Sequence, residues 1–359
     1  MKVSIGSRII DGPWGGGNLF VLNLKNYLIK NGHQVIHDLC DKDIDIILLT
    51  DPRSRKESSS TFNHEDIKKY KKYVNPNVSV IQRINECDER KGTNFINQFY
   101  LEASECADQV IFVSNWLKDI YTNIGMPLKK TSVIMSGADE EIFNKNESSK
   151  FDRTKIKFVT HHWSAHVNKG FDIYKKLDEL LSDSKYQNIE FSYIGNVPPE
   201  VNFINTKIKK PLSGLDLADE IKKNHIYLTA SVNEPSGNHH IEAAQCGLPV
   251  LYYNSGGIPE YCKGFGVSFE DDFEQKLNEI IDNYSTYKAK LDSYPFSSET
   301  MCSEFLQQFV ILDRNKENVN FDENKLLKNI YLFKNRVQKL LTGLTIKQNI
   351  KNAIKRFIQ

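Results

Sequence analysis

The chain has 359 residues, of which 40% are hydrophobic and 26% charged, and its formal net charge is +1. This length exceeds what one core usually holds, so two domains are expected. Six scattered cysteines without a CxxC pair argue against a disulfide framework or a zinc site, and favour reduced thiols in a cytoplasmic protein. No apolar run approaches the length of a membrane-spanning helix, and the first residues lack the apolar core of a signal peptide.

Short β-branched runs alternate with amphipathic stretches along the first half of the chain. This alternation predicts a parallel α/β sheet. The predicted strands are KVSI, QVIHD, IDIILLT, VSVIQRI, QVIFVS and SVIMS. The predicted helices between them include NLFVLNLKNYLIK, which Gly32 terminates, and NFINQFYLEASECA.

The polar stretch NKNESSKFDRT (144–154) lacks apolar periodicity and is predicted to link two domains. The alternation then restarts with the strands KIKFVT, IEFSYIG, HIYLTAS, PVLYY and GVSF, and helices at FDIYKKLDELL, 215–223 and 238–246. Beyond Asp271 the pattern is helical. We therefore predict two doubly wound domains (1–145 and 153–312), with the last helix crossing back to the first domain, and a basic helical tail (320–359). Ligands are expected in the cleft at the carboxyl ends of the strands.

Two carboxylates, Glu234 and Glu242, stand eight positions apart in the segment after HIYLTAS. Glu234 is predicted at the tip of a strand, and Glu242 in the early turns of the next helix. The free N–H groups at the start of that helix favour a phosphate, and Gly237 allows close approach of the backbone. A nucleotide-sugar, with hydroxyls on both sides of its phosphates, fits this order. The alternative is that Glu242 is an ordinary acid on a helix face and Glu234 an ordinary acid of a loop, because spacing alone is a weak signal.

Several segments carry a family resemblance, and they fall in the family's order. They are GPWGGGNLF with the later GHQV, VSNWLKDIYTNIG, SVIMSGADEEIF, WSAHVNKGFDIY, and EPSGNHHIEAAQCGLPV followed by NSGGIPE. Together they resemble the group 1 (family 4) retaining glycosyltransferases over residues 1–310. The resemblance implies the GT-B fold of that family, two Rossmann-like domains facing a cleft, here with extra C-terminal helices.

The resemblance implies a role for each matching residue. Glu234 would hold the hydroxyls of the donor sugar, Glu242 would hold those of the ribose, and Lys169 would neutralise the diphosphate leaving group. The remaining implied donor contacts are Gly16, Gly17, Gly237, Asn238, His239, Gly256 and Gly257. Among these, the first two glycines would approach the phosphates, and the last two would line the back of the donor pocket.

One position departs from the family pattern. The arginine usually found about five residues before the lysine is replaced by Ser164. The second phosphate cation is therefore open, with His161, His162 and His166 as candidates beside the alternative that each is a structural hydrogen-bonding residue.

The resemblance also implies the chemistry. Retention at the anomeric carbon is ascribed in this family to front-face attack, in which the donor phosphate helps to deprotonate the acceptor and no enzymic nucleophile is needed. A cation and a helix N-terminus would stabilise the leaving group, so no metal or other cofactor is expected to be required. The expected donor is a UDP- or GDP-sugar. The triplet Asp43-Ile44-Asp45 begins an apolar strand and is predicted to be ordinary.

The segment RINECDERKGTNF (83–95) follows a predicted strand, so its charges should emerge on the acceptor side of the cleft. The candidate acceptor contacts there are Glu86, Asp88, Arg90 and Lys91. Asp88 is also a candidate for assisting deprotonation, as a catalytic residue beside Glu234 and Lys169. The alternative is a salt-bridged loop that caps the next helix. Trp14, beside the glycine loop, either stacks on an acceptor sugar or packs internally.

The C-terminal tail is strongly basic, with nine Lys or Arg and no acid in residues 324–359. Its last segment, TIKQNIKNAIKRFIQ, places isoleucines and a phenylalanine near one helical face. Such a helix either contacts an anionic membrane surface or docks on the protein. Nucleic acid is not an expected partner, because the rest of the chain has more acids than bases.

The predicted function is that of a retaining glycosyltransferase acting on a glycan, lipid-linked or protein acceptor. Its expected setting is the synthesis of surface polysaccharide, lipopolysaccharide or glycan in the cytoplasm, at the inner face of a membrane. Two alternatives remain: an epimerase or hydrolase of nucleotide-sugars on the same fold, and a nucleotide-sugar-binding protein without activity. Product analysis separates the three.

Overall fold

The computed structural model describes residues 1–10, 15–53, 58–315 and 324–342. For residues 341 and 342 it describes only the backbone. The described residues form two sheets of six strands each. The first sheet contains β1 (Lys2–Ile5), β2 (Gln34–Ile36), β3 (Ile46–Leu49), β4 (Ser79–Ile84), β5 (Gln109–Phe112) and β6 (Thr131–Val133). Its order is β2-β1-β3-β4-β5-β6, and every neighbouring pair is parallel.

The second sheet is also entirely parallel, in the order β12-β11-β10-β7-β8-β9. Its strands are β7 (Ile156–His162), β8 (Ile189–Gly195), β9 (Lys207–Lys209), β10 (Ile226–Thr229), β11 (Val250–Tyr253) and β12 (Gly266–Phe269). The edge strand β9 was not predicted, because it is three residues long and carries no buried side chain.

Helices cover both faces of each sheet. In the first half they are α1 (Gly16–Lys30), α2 (His64–Tyr73), α3 (Asp88–Lys91), α4 (Ile96–Ala103) and α5 (Asn115–Asn123). In the second half they are α6 (Phe171–Leu180), α7 (Gly214–Lys222), α8 (Asn238–Gln245), α9 (Ile258–Cys262), α10 (Phe273–Asp282), α11 (Tyr284–Lys290), α12 (Ser298–Arg314) and α13 (Lys325–Thr342). The predicted α/β class with two doubly wound sheets is confirmed.

Helix α12 follows the second sheet in sequence but packs on the first. Its buried residues Met301, Phe305 and Phe309 belong to one hydrophobic cluster with Val3 and other residues of the first sheet. The rings of Phe20 on α1 and Phe305 lie 5.1 Å apart between centroids. The chain therefore returns to its first domain after completing the second.

Helix α13 also packs on the first domain. The Tyr331 hydroxyl donates to the Asp66 carbonyl at 2.8 Å, and Lys339 pairs with Asp38 at 2.6 Å. The segment 345–359, to which the amphipathic tail prediction refers, lies outside the described residues. Within the described part of the chain, no helix has both the length and the apolar character needed to cross a bilayer.

The strand order reverses once in each sheet. The reversal falls between β1 and β3 in the first sheet, and between β7 and β10 in the second. Chain segments leaving neighbouring strands on opposite sides open a crevice at such a point. The loop after β1 and the loops after β7 and β10 therefore mark where a ligand site is expected.

Candidate functional site

A cavity of about 550 Å³ lies between the two domains. The first domain lines it with the loop before α1 and with residues at the end of β4 and beyond. The second domain lines it with the segments after β7 and β10 and with the first turns of α8. The loop before α1 and the segments after β7 and β10 leave strands at the two reversals of strand order, so the cavity occupies the position expected for a ligand.

Glu234 lies in this cavity between two cations from different domains. Its carboxylate is 2.7 Å from the Lys169 ammonium and 3.0 Å from the Arg90 guanidinium. Burial by itself disfavours the charged carboxylate, but Lys169 and Arg90 outweigh burial and hold the pKa of Glu234 well below its usual range. The acid is therefore ionised throughout the physiological pH range.

Gly170 explains why the turn that carries Lys169 can approach the end of β10. Its φ is +79°, and a Cβ at this position would lie 2.1 Å from the carbonyl oxygen of Ala230. Any side chain would push the turn away from β10. Because Lys169 directly precedes this glycine, the close approach brings its ammonium to Glu234.

The N-terminus of α8 faces the same cavity. Gly237 precedes the helix with a φ of +77°, and no side chain caps the first turn. On the first-domain side, a Cβ at Gly16 would lie 2.7 Å from the Asn238 Oδ1, so the glycine loop touches the start of α8. Gly16, Gly17, Gly237 and Asn238 all line the cavity. Free N–H groups, a helix dipole and Lys169 together make a seat for a phosphate.

Glu242 lies one turn further along α8 and pairs with a histidine. Its Oε2 is 2.9 Å from His161 Nε2, and the His161 Nδ1 lies 3.2 Å from the Tyr227 hydroxyl. The other carboxylate oxygen, Oε1, makes no hydrogen bond to the described residues, and Glu242 lines the cavity. That oxygen is available to a hydroxyl donor of a ligand.

The histidines of the second domain are not equivalent. His162 is buried, lies 2.7 Å from the Tyr174 hydroxyl, and has a pKa well below 6.5, chiefly because of burial. Burial likewise lowers the pKa of His239, which also lines the cavity. These two side chains are neutral at pH 7 and do not supply the missing phosphate cation. His166 is exposed, and its Nδ1 accepts from the Asn168 N–H at 3.2 Å.

Arg90 lies at the contact between the domains. Its guanidinium binds Glu86 at 3.0 and 3.1 Å and Glu234 at 3.0 Å, while its carbonyl accepts from the Asn168 amide at 2.8 Å. The pKa of Arg90 is raised, chiefly by Glu234. Glu260 adds further bonds across the interface, because its carboxylate accepts from the N–H of Trp116 at 2.7 Å and from the N–H of Asn115 at 2.8 Å.

Two of the acceptor candidates are held by their own loop. Asp88 accepts from the Thr93 hydroxyl and from the backbone N–H groups of Phe95, Ile96 and Asn97, so it caps α4. Burial opposes its charge, but these donors lower the pKa of Asp88. The structure does not bring Asp88 or Glu86 to the cavity. The expected contribution of Asp88 to catalysis therefore lacks support, because its acceptor sites are already filled.

Gly256 and Gly257 do not line the cavity, in contrast to the expectation for them. Both glycines instead pack against the backbone of the segment that carries Glu234. A Cβ at Gly256 would lie 2.6 Å from the Glu234 carbonyl oxygen, and one at Gly257 would lie 2.1 Å from that of Pro235. The Gly257 N–H also donates to the Glu234 carbonyl at 2.9 Å. These two glycines fix the backbone that presents Glu234.

The sequence reasoning missed Arg83, a buried residue of β4 that lines the cavity. The signal was present, since arginine is rarely buried and here interrupts the strand VSVIQRI. Trp14 lies outside the described residues. The described part of the chain contains no group of three or more His, Cys, Asp or Glu side chains placed to hold a metal ion.

The comparisons with known proteins agree with this architecture. Residues 203–293 match the family model described as glycosyl transferases group 1. The phosphatidylinositol N-acetylglucosaminyltransferase gpi3 subunit of Schizosaccharomyces pombe is 25% identical over 181 residues, which make up 46% of this chain and 39% of that protein. The match thus spans less than half of this curated relative.

Solved structures resemble nearly the whole chain. A glycosyltransferase from Rickettsia africae ESF-5 has a TM-score of 0.65 and 16% identity, covering 88% of this chain and 99% of its own. Anabaena Alr3699/HepE, solved in complex with UDP and glucose, has a TM-score of 0.60 and 13% identity, covering 86% and 99%. These likenesses show the fold, so the expected GT-B architecture is confirmed, and the family model confirms the resemblance to group 1 glycosyltransferases.

Proposed function

We propose that this chain, a GT-B protein whose residues 203–293 match the group 1 glycosyl transferases, moves a sugar from a nucleoside-diphosphate sugar to an acceptor hydroxyl with retention at the anomeric carbon. One observation carries the proposal. Lys169 and the uncapped start of α8 lie in one interdomain cavity with Glu234 and Glu242, so a seat for a diphosphate has a carboxylate on each side.

The arrangement suits the charges that develop in sugar transfer. As the bond between the anomeric carbon and the phosphate oxygen breaks, its electron pair moves to the diphosphate. Lys169 and the α8 N–H groups would stabilise that negative charge, and they are already in place before the reaction. Glu234 would orient the sugar through its hydroxyls, and Glu242 Oε1 would accept from the ribose.

The acceptor oxygen would attack from the face that the leaving group vacates, and its proton would pass to the departing phosphate oxygen. This route accounts for retention without an enzymic nucleophile. It also matches the surroundings of Asp88, whose carboxylate is occupied by the N-terminus of α4. No residue of the first domain is assigned the role of base in this scheme.

The acceptor is proposed to be a glycan or a lipid-linked molecule, and the chain to work at a membrane surface. The name of the curated relative includes phosphatidylinositol. Helix α13 supports contact with an anionic bilayer, because its outward residues Leu326, Ile330, Phe333 and Leu340 are all more than half exposed. That helix carries basic but no acidic side chains.

Donor turnover tests the proposal. The protein is incubated with UDP- and GDP-sugars, with and without candidate acceptors, and the products are separated. Transfer that depends on an acceptor and on Lys169 supports a glycosyltransferase. Consumption of the donor without an acceptor would indicate an epimerase or hydrolase instead. Donor binding without any turnover would indicate a nucleotide-sugar-binding protein.

A further inference from the structure

Arg83 is a buried cation that the proposed donor site does not use. Its side chain lies on β4 and is only 5% exposed, yet it lines the interdomain cavity. Within the described residues its guanidinium makes no hydrogen bond and no ion pair. It lies instead against an aromatic ring, since the Cζ is 4.0 Å from the centroid of Phe20 on α1. Burial lowers the pKa of Arg83 to about 10, so it remains charged at neutral pH.

A buried charge without a carboxylate partner is costly to a folded protein. A cation–π contact offsets only part of this cost. The other two cations of the cavity, Lys169 and Arg90, are both paired with Glu234. Arg83 therefore differs from them as a buried cation of the cavity that no carboxylate of the described residues pairs with.

The position of Arg83 indicates which ligand fills it. The charged residues expected to hold the donor, Lys169, Glu234 and Glu242, belong to the second domain, and the first domain adds only the backbone of its glycine loop at Gly16 and Gly17. Arg83 is fixed in the first domain, beneath α1, where Leu19 and Leu22 add apolar lining to the cavity. A group bound there would enter from the acceptor side.

We infer that Arg83 binds an anionic group, a phosphate, on the acceptor. The planar guanidinium fork matches the oxygens of a phosphate, and the apolar wall around it strengthens the attraction. This inference rests on the proposed function, because it assumes that the donor diphosphate occupies the seat at Lys169 and α8. The acceptor is then acidic, and Arg83 is the residue that selects it.

Binding of a simple phosphate ester in the presence of a nucleoside diphosphate is the test. Wild-type protein is saturated with UDP or GDP, whichever binds, and titrated with glycerol 3-phosphate, with glycerol as the uncharged probe. Ligand-observed NMR follows the probe, and calorimetry follows the nucleoside diphosphate. We expect glycerol 3-phosphate to bind and glycerol not to bind. Arg83→Met should lower the affinity for glycerol 3-phosphate by about tenfold or more. It should lower the affinity for the nucleoside diphosphate by less than about threefold.

Two further variants keep the result interpretable. Arg83→Lys retains the charge and the fold, and should bind glycerol 3-phosphate with intermediate affinity. Lys169→Ala should show the reverse pattern, in which the nucleoside diphosphate binds more weakly and the affinity for glycerol 3-phosphate is unchanged. If Arg83→Met weakens the nucleoside diphosphate as much as Lys169→Ala does, Arg83 belongs to the donor site and the inference is wrong. The inference is also wrong if the wild type does not bind glycerol 3-phosphate. If the nucleoside diphosphate binds independently of Lys169, the proposed function is wrong instead.

Discussion

The ammonium of Lys169 lies 2.7 Å from the carboxylate of Glu234, although the two groups are expected to contact different parts of the donor. Each group therefore neutralises charge on the other. A diphosphate would draw Lys169 away and leave Glu234 to Arg90 and to the sugar hydroxyls. This exchange of partners couples the binding of the phosphates to the binding of the sugar. Substitutions of Lys169 and Glu234 should therefore have different effects on the affinity for the nucleoside diphosphate.

Replacing Lys169 with alanine should weaken the binding of the nucleoside diphosphate. The variant loses a charge-assisted contact, so we expect a cost of about 1.5–3 kcal/mol in binding and a larger loss in turnover. Calorimetry and donor kinetics measure the two effects. Lys185→Ala, which removes an exposed lysine of the same domain, is the control. Near-normal kinetics for Lys169→Ala would mean that the phosphate cation lies elsewhere.

Glu234→Gln and Glu242→Gln should fail in different ways. Glu242→Gln should weaken the free nucleoside diphosphate and the intact donor by similar factors, because both carry the ribose. Glu234→Gln should leave the free nucleoside diphosphate unchanged or tighter, because Lys169 loses its competing carboxylate, and yet lower turnover. Calorimetry with the nucleoside diphosphate distinguishes them. Equal losses in both variants would refute the division of roles.

Arg90→Met should loosen the contact between the domains. The variant removes the ion pair to Glu234 and leaves that buried carboxylate with one cation fewer. We expect turnover to fall and the nucleoside diphosphate to bind almost normally, with a larger radius of gyration in small-angle X-ray scattering. Lys91→Met is the matched control, because Lys91 also pairs with Glu86 but makes no ion pair with the second domain. An unchanged radius with normal turnover would show that the pair does not hold the domains together.

The outward face of α13 should govern attachment to anionic vesicles. The double variant Leu326→Ser and Phe333→Ser removes exposed apolar surface without touching Tyr331, which anchors the helix. We expect co-sedimentation with phosphatidylglycerol vesicles to be lost, while turnover on a soluble acceptor is retained. Wild-type binding should weaken as salt rises, because the basic side chains are screened. Ile311→Ser, an exposed apolar residue of α12, is the control. Equal sedimentation of the double variant and the wild type would exclude this face.

The sequence predicted the sheets well, because their strands are short β-branched runs with sharp polar boundaries. The position of Glu234 at a strand end and of Glu242 at the start of the next helix predicted these two as neighbours. Lys169 was expected beside them only because the family resemblance implies it. The direct pairing of Lys169 with Glu234 was not predictable, since it depends on how closely Gly170 approaches Ala230. Contacts across the domain interface, such as that of Arg90, depend on tertiary packing that no local pattern records.

His240 should make the stability of the second domain sensitive to acid. Burial lowers its pKa from 6.5 to about 3, against the opposing effect of Glu234, and its Nε2 has no hydrogen-bond partner among the described residues. The folded protein therefore keeps His240 neutral while the unfolded chain takes up a proton below pH 6.5. Its contribution to stability is present above that pH and is lost as the pH falls towards 3. From pH 7 to pH 5 this amounts to about 2 kcal/mol of unfolding free energy.

His240→Asn should flatten this dependence even if it lowers stability at pH 7. Urea unfolding at several pH values measures the slope, and the variant should differ from the wild type by close to one proton taken up on unfolding. His166→Asn, which removes an exposed histidine of the same domain, is the control. The buried His162 and His239 have lowered pKa values as well, so part of the acid sensitivity should persist in His240→Asn. Identical slopes for His240→Asn and the wild type would show that His240 is charged in the folded protein.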